Sequence, residues 1–313
     1  MVFKRMLGAF GVGAPSVDTV LSTPRTKPGG TLAGEVRLKG GDFDAEIEHI
    51  TLGLVARVEI EHGDGEGSGL GQFANVRVSG PFTLLKGEER TVGFGLPVPW
   101  ETPISEIQGR PLTGMAIGVR TELAIAKAVD KGDLDMVAIE PLPSQLRILE
   151  SFLRLGFVFK SADLEYGHLY GVRQELPFYQ EIEFYPGGRY AGRVGEVEVT
   201  FVADPAGLQV VLEADKRSGR YSSSDAIGRF HVSHEDALRT DWDGELSRWL
   251  DGLSQYGHHS DHGHHGGHHG GHHGGPGLGM VAAAGAAGVV GGLVAGEVIE
   301  EVVEDFFEGG DEE

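Results

Sequence analysis

A chain of 313 residues with no cysteine, 47 acidic and 26 basic side chains and a net charge of −21 has room for about two domains and no thiol chemistry. Disulfide staples, thiolate zinc sites and cysteine nucleophiles are excluded, and no cluster of lysine and arginine is present to grip nucleic-acid phosphates. The acidity is uneven, because residues 255–313 hold ten acids and no lysine or arginine, leaving 37 acids against 26 bases, or −11, in the body before them.

Met1 to Gly13 carry Lys4, Arg5 and several apolar side chains, but glycines interrupt the apolar run. The segment reads as a first strand or short amphipathic piece rather than a signal peptide; weak contact with a membrane surface is the second reading. Period-two alternation then dominates. Leu32, Val36 and Leu38 alternate with Ala33, Glu35, Arg37 and Lys39. Ile50, Leu52, Leu54, Ala56, Val58 and Ile60 alternate with Thr51, Gly53, Val55, Arg57 and Glu59, which predicts a long strand with one apolar face. The glycine-rich Gly63 to Gly69 reads as a hairpin loop. Pro97, Pro99 and Pro103 predict an edge or irregular crossover, since proline cannot donate to a central ladder. Val119, Thr121, Leu123 and Ile125 predict another strand. Turn signals recur at Lys27-Pro28-Gly29-Gly30, Lys39-Gly40-Gly41-Asp42, Lys86-Gly87-Glu88 and Tyr185-Pro186-Gly187-Gly188.

After Glu140-Pro141-Leu142-Pro143 the spacing of Leu146, Leu149 and Phe152–Leu153 predicts a helix over 144–155, with Ser144 as N-cap and Gly156 as stop. A domain junction is placed here. Alternation resumes at Val197, Val199 and Phe201, then at Leu208, Val210 and Leu212 across the turn Asp204-Pro205-Ala206-Gly207. A second helix is predicted over 234–250, with Leu238, Leu246, Trp249 and Leu250 as its apolar contacts and a break at 241–244. Many strands at short spacing with one polar face predict a mostly antiparallel, all-β protein built of β-sandwiches.

Beyond the body lies a histidine tract holding nine of the fourteen histidines: His258, His259, His262, His264, His265, His268, His269, His272 and His273. Neutral imidazole is a good ligand for Zn, Ni and Cu, and paired histidines on a glycine-rich backbone converge nitrogens without a preformed site. Binding of this kind is loose, multi-ion and lost below about pH 6.5. The plain alternative is a solvated spacer, with metal adventitious rather than regulatory. Residues 280–296 are uncharged, and Gly288, Gly292 and Gly296 repeat a G-x-x-x-G spacing that lets a second backbone approach a helix closely. The run is at the short limit for a membrane span. Val298, Val302 and Phe306 follow at i, i+4 and i+8 with acids on the other face, an amphipathic pattern suited to a partner groove. Self-association, protein docking and peripheral membrane contact through residues 280–307 are the readings of this tail.

No nucleophile elbow, phosphate loop, dinucleotide fingerprint or H-E-x-x-H is present, so no catalytic residue and no required cofactor is nominated. Asp130, Asp133 and Asp135 resemble half a calcium loop, but the twelfth position is Pro141 rather than glutamate. His231 and His234 read as ordinary surface histidines.

Several segments taken in order resemble one family. Val17-Asp18-Thr19-Val20-Leu21, Lys27-Pro28-Gly29-Gly30, Gly34-Glu35-Val36 and Lys39-Gly40-Gly41 are similar to the start of the sporulation-control protein M (SpoOM) family. Glu46-Ile47-Glu48-His49-Ile50, Pro81-Phe82-Thr83-Leu84, Phe94-Gly95-Leu96-Pro97-Val98-Pro99 with Thr102-Pro103, and Gly118-Val119-Arg120-Thr121-Glu122-Leu123 with Ala128-Val129-Asp130 continue the likeness. Leu155-Gly156-Phe157, Gln180-Glu181-Ile182-Glu183-Phe184 and Glu196-Val197-Glu198-Val199 extend it to about residue 253. The resemblance implies two tandem arrestin-like β-sandwiches, over 1–142 and 143–253. A His/Gly tether (254–279) and a small-residue, acidic tail (280–313) follow. It further implies a cytoplasmic, non-enzymatic regulator that acts by protein–protein interaction, possession of a peripheral membrane contact being left to the tail. Metal buffering or metal-gated self-assembly through the histidine tract is the alternative.

Overall fold

The computed structural model describes residues 13–62, 65–214 and 226–256. Its first half is built of twelve strands: β1 (Ser16–Leu21), β2 (Arg25–Thr26), β3 (Thr31–Lys39), β4 (Ala45–His62), β5 (Gly65–Ser79), β6 (Phe82–Leu84), β7 (Glu89–Pro97), β8 (Glu106–Ile107), β9 (Arg110–Pro111), β10 (Ile117–Ile125), β11 (Lys131–Met136) and β12 (Ala138–Ile139). Helix α1 (Pro143–Arg154) leads into β13 (Val158–Tyr166), β14 (Phe178–Tyr185), β15 (Val197–Ala203), β16 (Gly207–Ala214) and β17 (Ala226–Ser233). Helices α2 (His234–Arg239) and α3 (Trp242–Tyr256) complete the described body. The chain is thus mostly β and mostly antiparallel, as its alternation predicts.

In the first half a three-stranded sheet, in the order β1-β3-β7, faces a sheet in which β4 lies between β10 and β5. The alternating residues of β3 (Leu32, Val36, Leu38) meet those of β4 (Ile50, Leu52, Leu54) and β10 (Val119, Leu123) in one core. Each fully buried aliphatic side chain there contributes about 1.5–3 kcal/mol by leaving water. Val55, expected on the polar face of β4, is fully buried as well. The centre of β4 has a neighbour on each side, and its second face is also covered. The glycine-rich segment expected as a loop is strand from Gly65 onward, because the long β4 offers it a ladder through His62↔Gly65, Ile60↔Gly67 and Val58↔Gly69.

The second half is layered differently. Strands β13-β14-β15-β16-β17 form one antiparallel array, joined to β4 by a parallel contact at Glu165↔Glu59, so that a single ten-stranded sheet crosses both halves. Among the described residues its inner face is covered by helices rather than by a second sheet. Phe152 of α1 stacks on Phe184 at 5.0 Å between ring centres. Trp242 of α3 meets Phe230 edge-on at 5.6 Å, its indole N–H donating to the Ala237 carbonyl at 2.8 Å.

Helix boundaries correct two expectations. Leu142, not Ser144, is the N-cap of α1. Pro143 occupies the first helical position, where a missing N–H costs nothing, and the Gln145 side chain reaches back to accept from the Leu142 N–H at 2.8 Å. Ser144, buried, turns instead toward His234. The predicted stop at Gly156 holds: with φ +90° it lets its own N–H reach Leu153 O and the Phe157 N–H reach Phe152 O, both at 3.0 Å, while Phe157 packs edge-on to Phe152. Further on, the break expected at 241–244 falls at Thr240–Asp241 and divides the helical segment in two. Ser233 caps α2 by accepting from the Asp236 N–H at 3.1 Å. Leu238, expected as an apolar contact, is half-exposed at 50%. Its place in the core belongs to Trp242, while Leu246 and Leu250 are buried as expected.

Candidate functional site

The outer face of β13–β16 gathers carboxylates. On an antiparallel sheet, residues two apart along each strand share a face. Asp163 and Glu165, Glu181 and Glu183, Glu196 and Glu198, and Glu213 therefore point the same way from four strands. The register then sets acid against acid: Asp163↔Glu181, Glu183↔Glu198 and Glu198↔Glu213, with Glu165↔Glu59 across the parallel contact. Like charges directly opposite destabilise a sheet. Lys160 relieves part of the strain, donating to Glu183 at 3.2 Å and Glu196 at 2.7 Å, and the Ser161 hydroxyl donates to Glu183. The hydrogen bonds to these two carboxylates hold the Lys160 ammonium above its ordinary range, Glu196 most strongly.

Glu181 is at the centre of this face. Burial, followed by the charges of Glu198, Asp163, Glu165 and Glu213, pushes its carboxyl up to about 9. Burial, then Glu183 and Glu59, pushes Asp163 up to about 6, and its Oδ1 is buried without a hydrogen-bond partner. Asp163, Glu165 and Glu181 bring one carboxylate oxygen each within 4.8 Å of one another. That donor set suits a hard divalent cation by type. The signal for it was in the sequence as acids at period two on successive strands. Only the register shows that they meet.

A second polar cluster locks the two halves together. The Glu101 carboxylate accepts from the backbone N–H groups of Glu175 and Leu176 at 2.8 Å each, and burial raises its affinity for a proton. The Gln180 side chain accepts from Ile104 N–H at 2.9 Å and donates to Ile104 O at 2.7 Å, satisfying a buried backbone. His234, expected as an ordinary surface histidine, is a bridge. Nδ1 lies 2.9 Å from Ser144 Oγ, Nε2 lies 2.8 Å from Asp204 O, and the ring lies 5.7 Å from that of Trp100. His231 sits on β17 opposite Gln209.

The half calcium loop is structural. Asp130 accepts from Ile125 N–H at 2.9 Å, and Asp133 accepts from Thr19 N–H at 2.6 Å. Burial, then Asp133 and Asp18, raises Asp135 to about 6. The nine tract histidines (His258 to His273), the glycines Gly288, Gly292 and Gly296, and Val298, Val302 and Phe306 all lie outside the described residues. No helix among the described residues is long and apolar enough to cross a membrane.

Comparison with known proteins places this fold. The SpoOM protein family model matches residues 3–218. Sporulation-control protein spo0M of Bacillus subtilis (strain 168) is 34% identical over 217 residues, which is 69% of this chain and 81% of that protein. The crystal structure of Spo0M, sporulation control protein, from Bacillus subtilis superposes with a TM-score of 0.68 at 31% identity, covering 77% of this chain and all of that one. A match of this breadth settles the relationship: the chain belongs to the SpoOM protein family.

Proposed function

We propose that this protein is a non-enzymatic cytoplasmic regulator or scaffold that works through protein–protein contacts in the control of development or cell morphology. One observation carries the reading: relatedness to a sporulation-control protein across 81% of that protein's length. The two halves, 1–142 and 143–253, act as recognition domains, and a free sheet edge recruits a partner strand. The tether sets reach, and the tail at Gly288, Gly292, Gly296, Val298, Val302 and Phe306 sets self-association or location. Deletion in the native host is expected to disturb differentiation or cell shape, and affinity capture to return the same partners in repeated trials. A deletion without phenotype, together with no reproducible partner, contradicts the reading.

The concentration of nine histidines within residues 258–273 favours a second reading, a metal buffer or metal-gated assembly switch. Replacing all nine is then expected to abolish zinc binding and zinc-driven association together. Survival of both excludes this reading.

A further inference from the structure

The three-stranded sheet has two edges, and they are not alike. Along β3 the hydrogen-bonding phase is fixed at both ends of its pairing with β7. Gly40 N–H donates to Glu88 O at 2.7 Å, and Val98 N–H donates to Gly30 O at 2.9 Å. The register between them is unbroken, from Thr31↔Pro97 to Lys39↔Glu89. In an antiparallel pair, bonded and non-bonded positions alternate. The even-numbered residues of β7 therefore bond to β3, and Glu89, Thr91, Gly93 and Gly95 turn their N–H and C=O groups outward. Among the described residues no hydrogen bond reaches the outward groups of Thr91, Gly93 or Gly95.

The opposite edge is capped. The same phase argument, from Ser22 N–H donating to Ala33 O at 2.8 Å, turns Thr19 outward, and Asp133 Oδ2 accepts its N–H at 2.6 Å. One edge of the large sheet, β17, is guarded by side chains: its outward residues include Arg229 and His231, and the Arg229 guanidinium lies 5.9 Å from the Tyr170 ring centre. Charged side chains of this kind are how sheet edges are protected. The outward residues at the centre of β7 are a threonine and two glycines, all exposed. A Cβ built on Gly93 meets nothing nearer than 4.0 Å, and one on Gly95 nothing nearer than 3.6 Å. On the core side, Val92 and Phe94 are only partly buried against the core, as are Phe73, Val76 and Val78 of β5, a strand that lies close to β7.

Resting on the reading of the protein as a partner-binding regulator, we propose that the β7 edge, centred on Thr91, Gly93 and Gly95, is a strand-addition site. Its occupant is an extended segment of a partner protein, antiparallel to β7, with apolar residues at alternate positions. Backbone groups of Thr91, Gly93 and Gly95 supply the hydrogen bonds, and the partly buried row of Val92, Phe94 and β5 receives the alternate apolar side chains. Because main-chain bonding supplies most of the attraction, a generic strand-forming peptide is a sufficient probe.

The test uses the full chain and a short capped peptide of alternating threonine and valine flanked by lysines. In the free protein, amide hydrogens of Thr91, Gly93 and Gly95 are expected to exchange rapidly while those of Val92 and Phe94 are protected. Saturating peptide is expected to slow the first three, and Gly93→Pro, which removes an outward N–H only, to weaken peptide binding by about tenfold. The same peptide N-methylated at the positions facing β7 is expected to lose binding to the unaltered protein, which keeps the test independent of how the proline variant folds. Slow exchange at all five amides in the free monomer, or equal binding of the N-methylated peptide, overturns the proposal. Protection that rises with protein concentration alone makes the occupant a second copy and overturns it too. If these fail while Gly93→Pro captures the same cellular partners as the unaltered chain, the regulatory reading stands and only the β7 site falls.

Discussion

In the first half, a three-stranded sheet covers the apolar face of β4, β5 and β10, whereas in the second, helices α1, α2 and α3 cover the apolar face of β13–β17. The outer faces differ accordingly. The first half leaves a free edge rich in glycine, while the second presents in-register acid pairs on a partly buried sheet face. One half is therefore suited to adding a strand, and the other carries charge repulsion that Lys160 relieves only in part. Two β arrays from one chain, sharing a sheet through a single parallel contact, are thus covered by different kinds of layer.

The largest effects come from the two cores. Phe152→Ala removes a ring stacked on Phe184 and is expected to cost about 3–5 kcal/mol, and Leu54→Ala about 2–5 kcal/mol. Both are expected to shift the same single urea transition, read by tryptophan fluorescence, because polar bonds at Glu101 and Gln180 join the halves. Two separate transitions, only one moved by Phe152→Ala, would break the picture of a shared body. Next in size is the joint itself. Gln180→Ala strands the N–H and C=O of buried Ile104 and is expected to cost about 1–3 kcal/mol. A loss no larger than that of an exposed substitution would show the joint to be incidental.

The acid face sharpens the contrast through pH. A carboxyl whose folded pKa is raised keeps its proton after the unfolded chain has released its own. Glu181, at about 9, and Asp163, at about 6, therefore favour the folded state in acid. They withdraw that stability as pH climbs from the ordinary carboxylate range toward those values. Asp243 works in the opposite sense. Its hydrogen bond from Arg154 holds its pKa down, so its contribution is lost as pH falls. Comparing Glu181→Gln with the unaltered protein isolates the first effect. The variant is expected to be about 1–2 kcal/mol more stable at pH 8 and no more stable at pH 4. Equal stability at both pH values would remove Glu181 as a centre of repulsion. Smallest of all, Arg239→Ala breaks an exposed pair with Glu235 on α2 and is expected to change stability by less than about 0.5 kcal/mol.

Much of the fold can be read from the chain. Leu32 to Leu38, Ile50 to Val58 and Leu208 to Leu212 announce their strands because their alternate apolar residues are buried. Gly156 announces a helix end because the left-handed conformation there is open to glycine. What escapes sequence reading is whatever depends on partners distant along the chain. Val55 looks outward-facing until the second face of β4 proves covered. Ser144 looks like a cap until Gln145 takes that role and Ser144 meets His234, ninety residues away. Glu181, Asp163 and Glu165 look like polar positions of separate strands, and only the register makes them neighbours.

We propose that the folded body, rather than the histidine tract and tail, recognises partners. Affinity capture from the native host with the full chain and with a chain ending at Tyr256, each washed with and without chelator, tests it most directly. The same partners are expected from both chains, unaffected by chelator. Loss of partners from the shortened chain, or their release from the full chain by chelator alone, would contradict it.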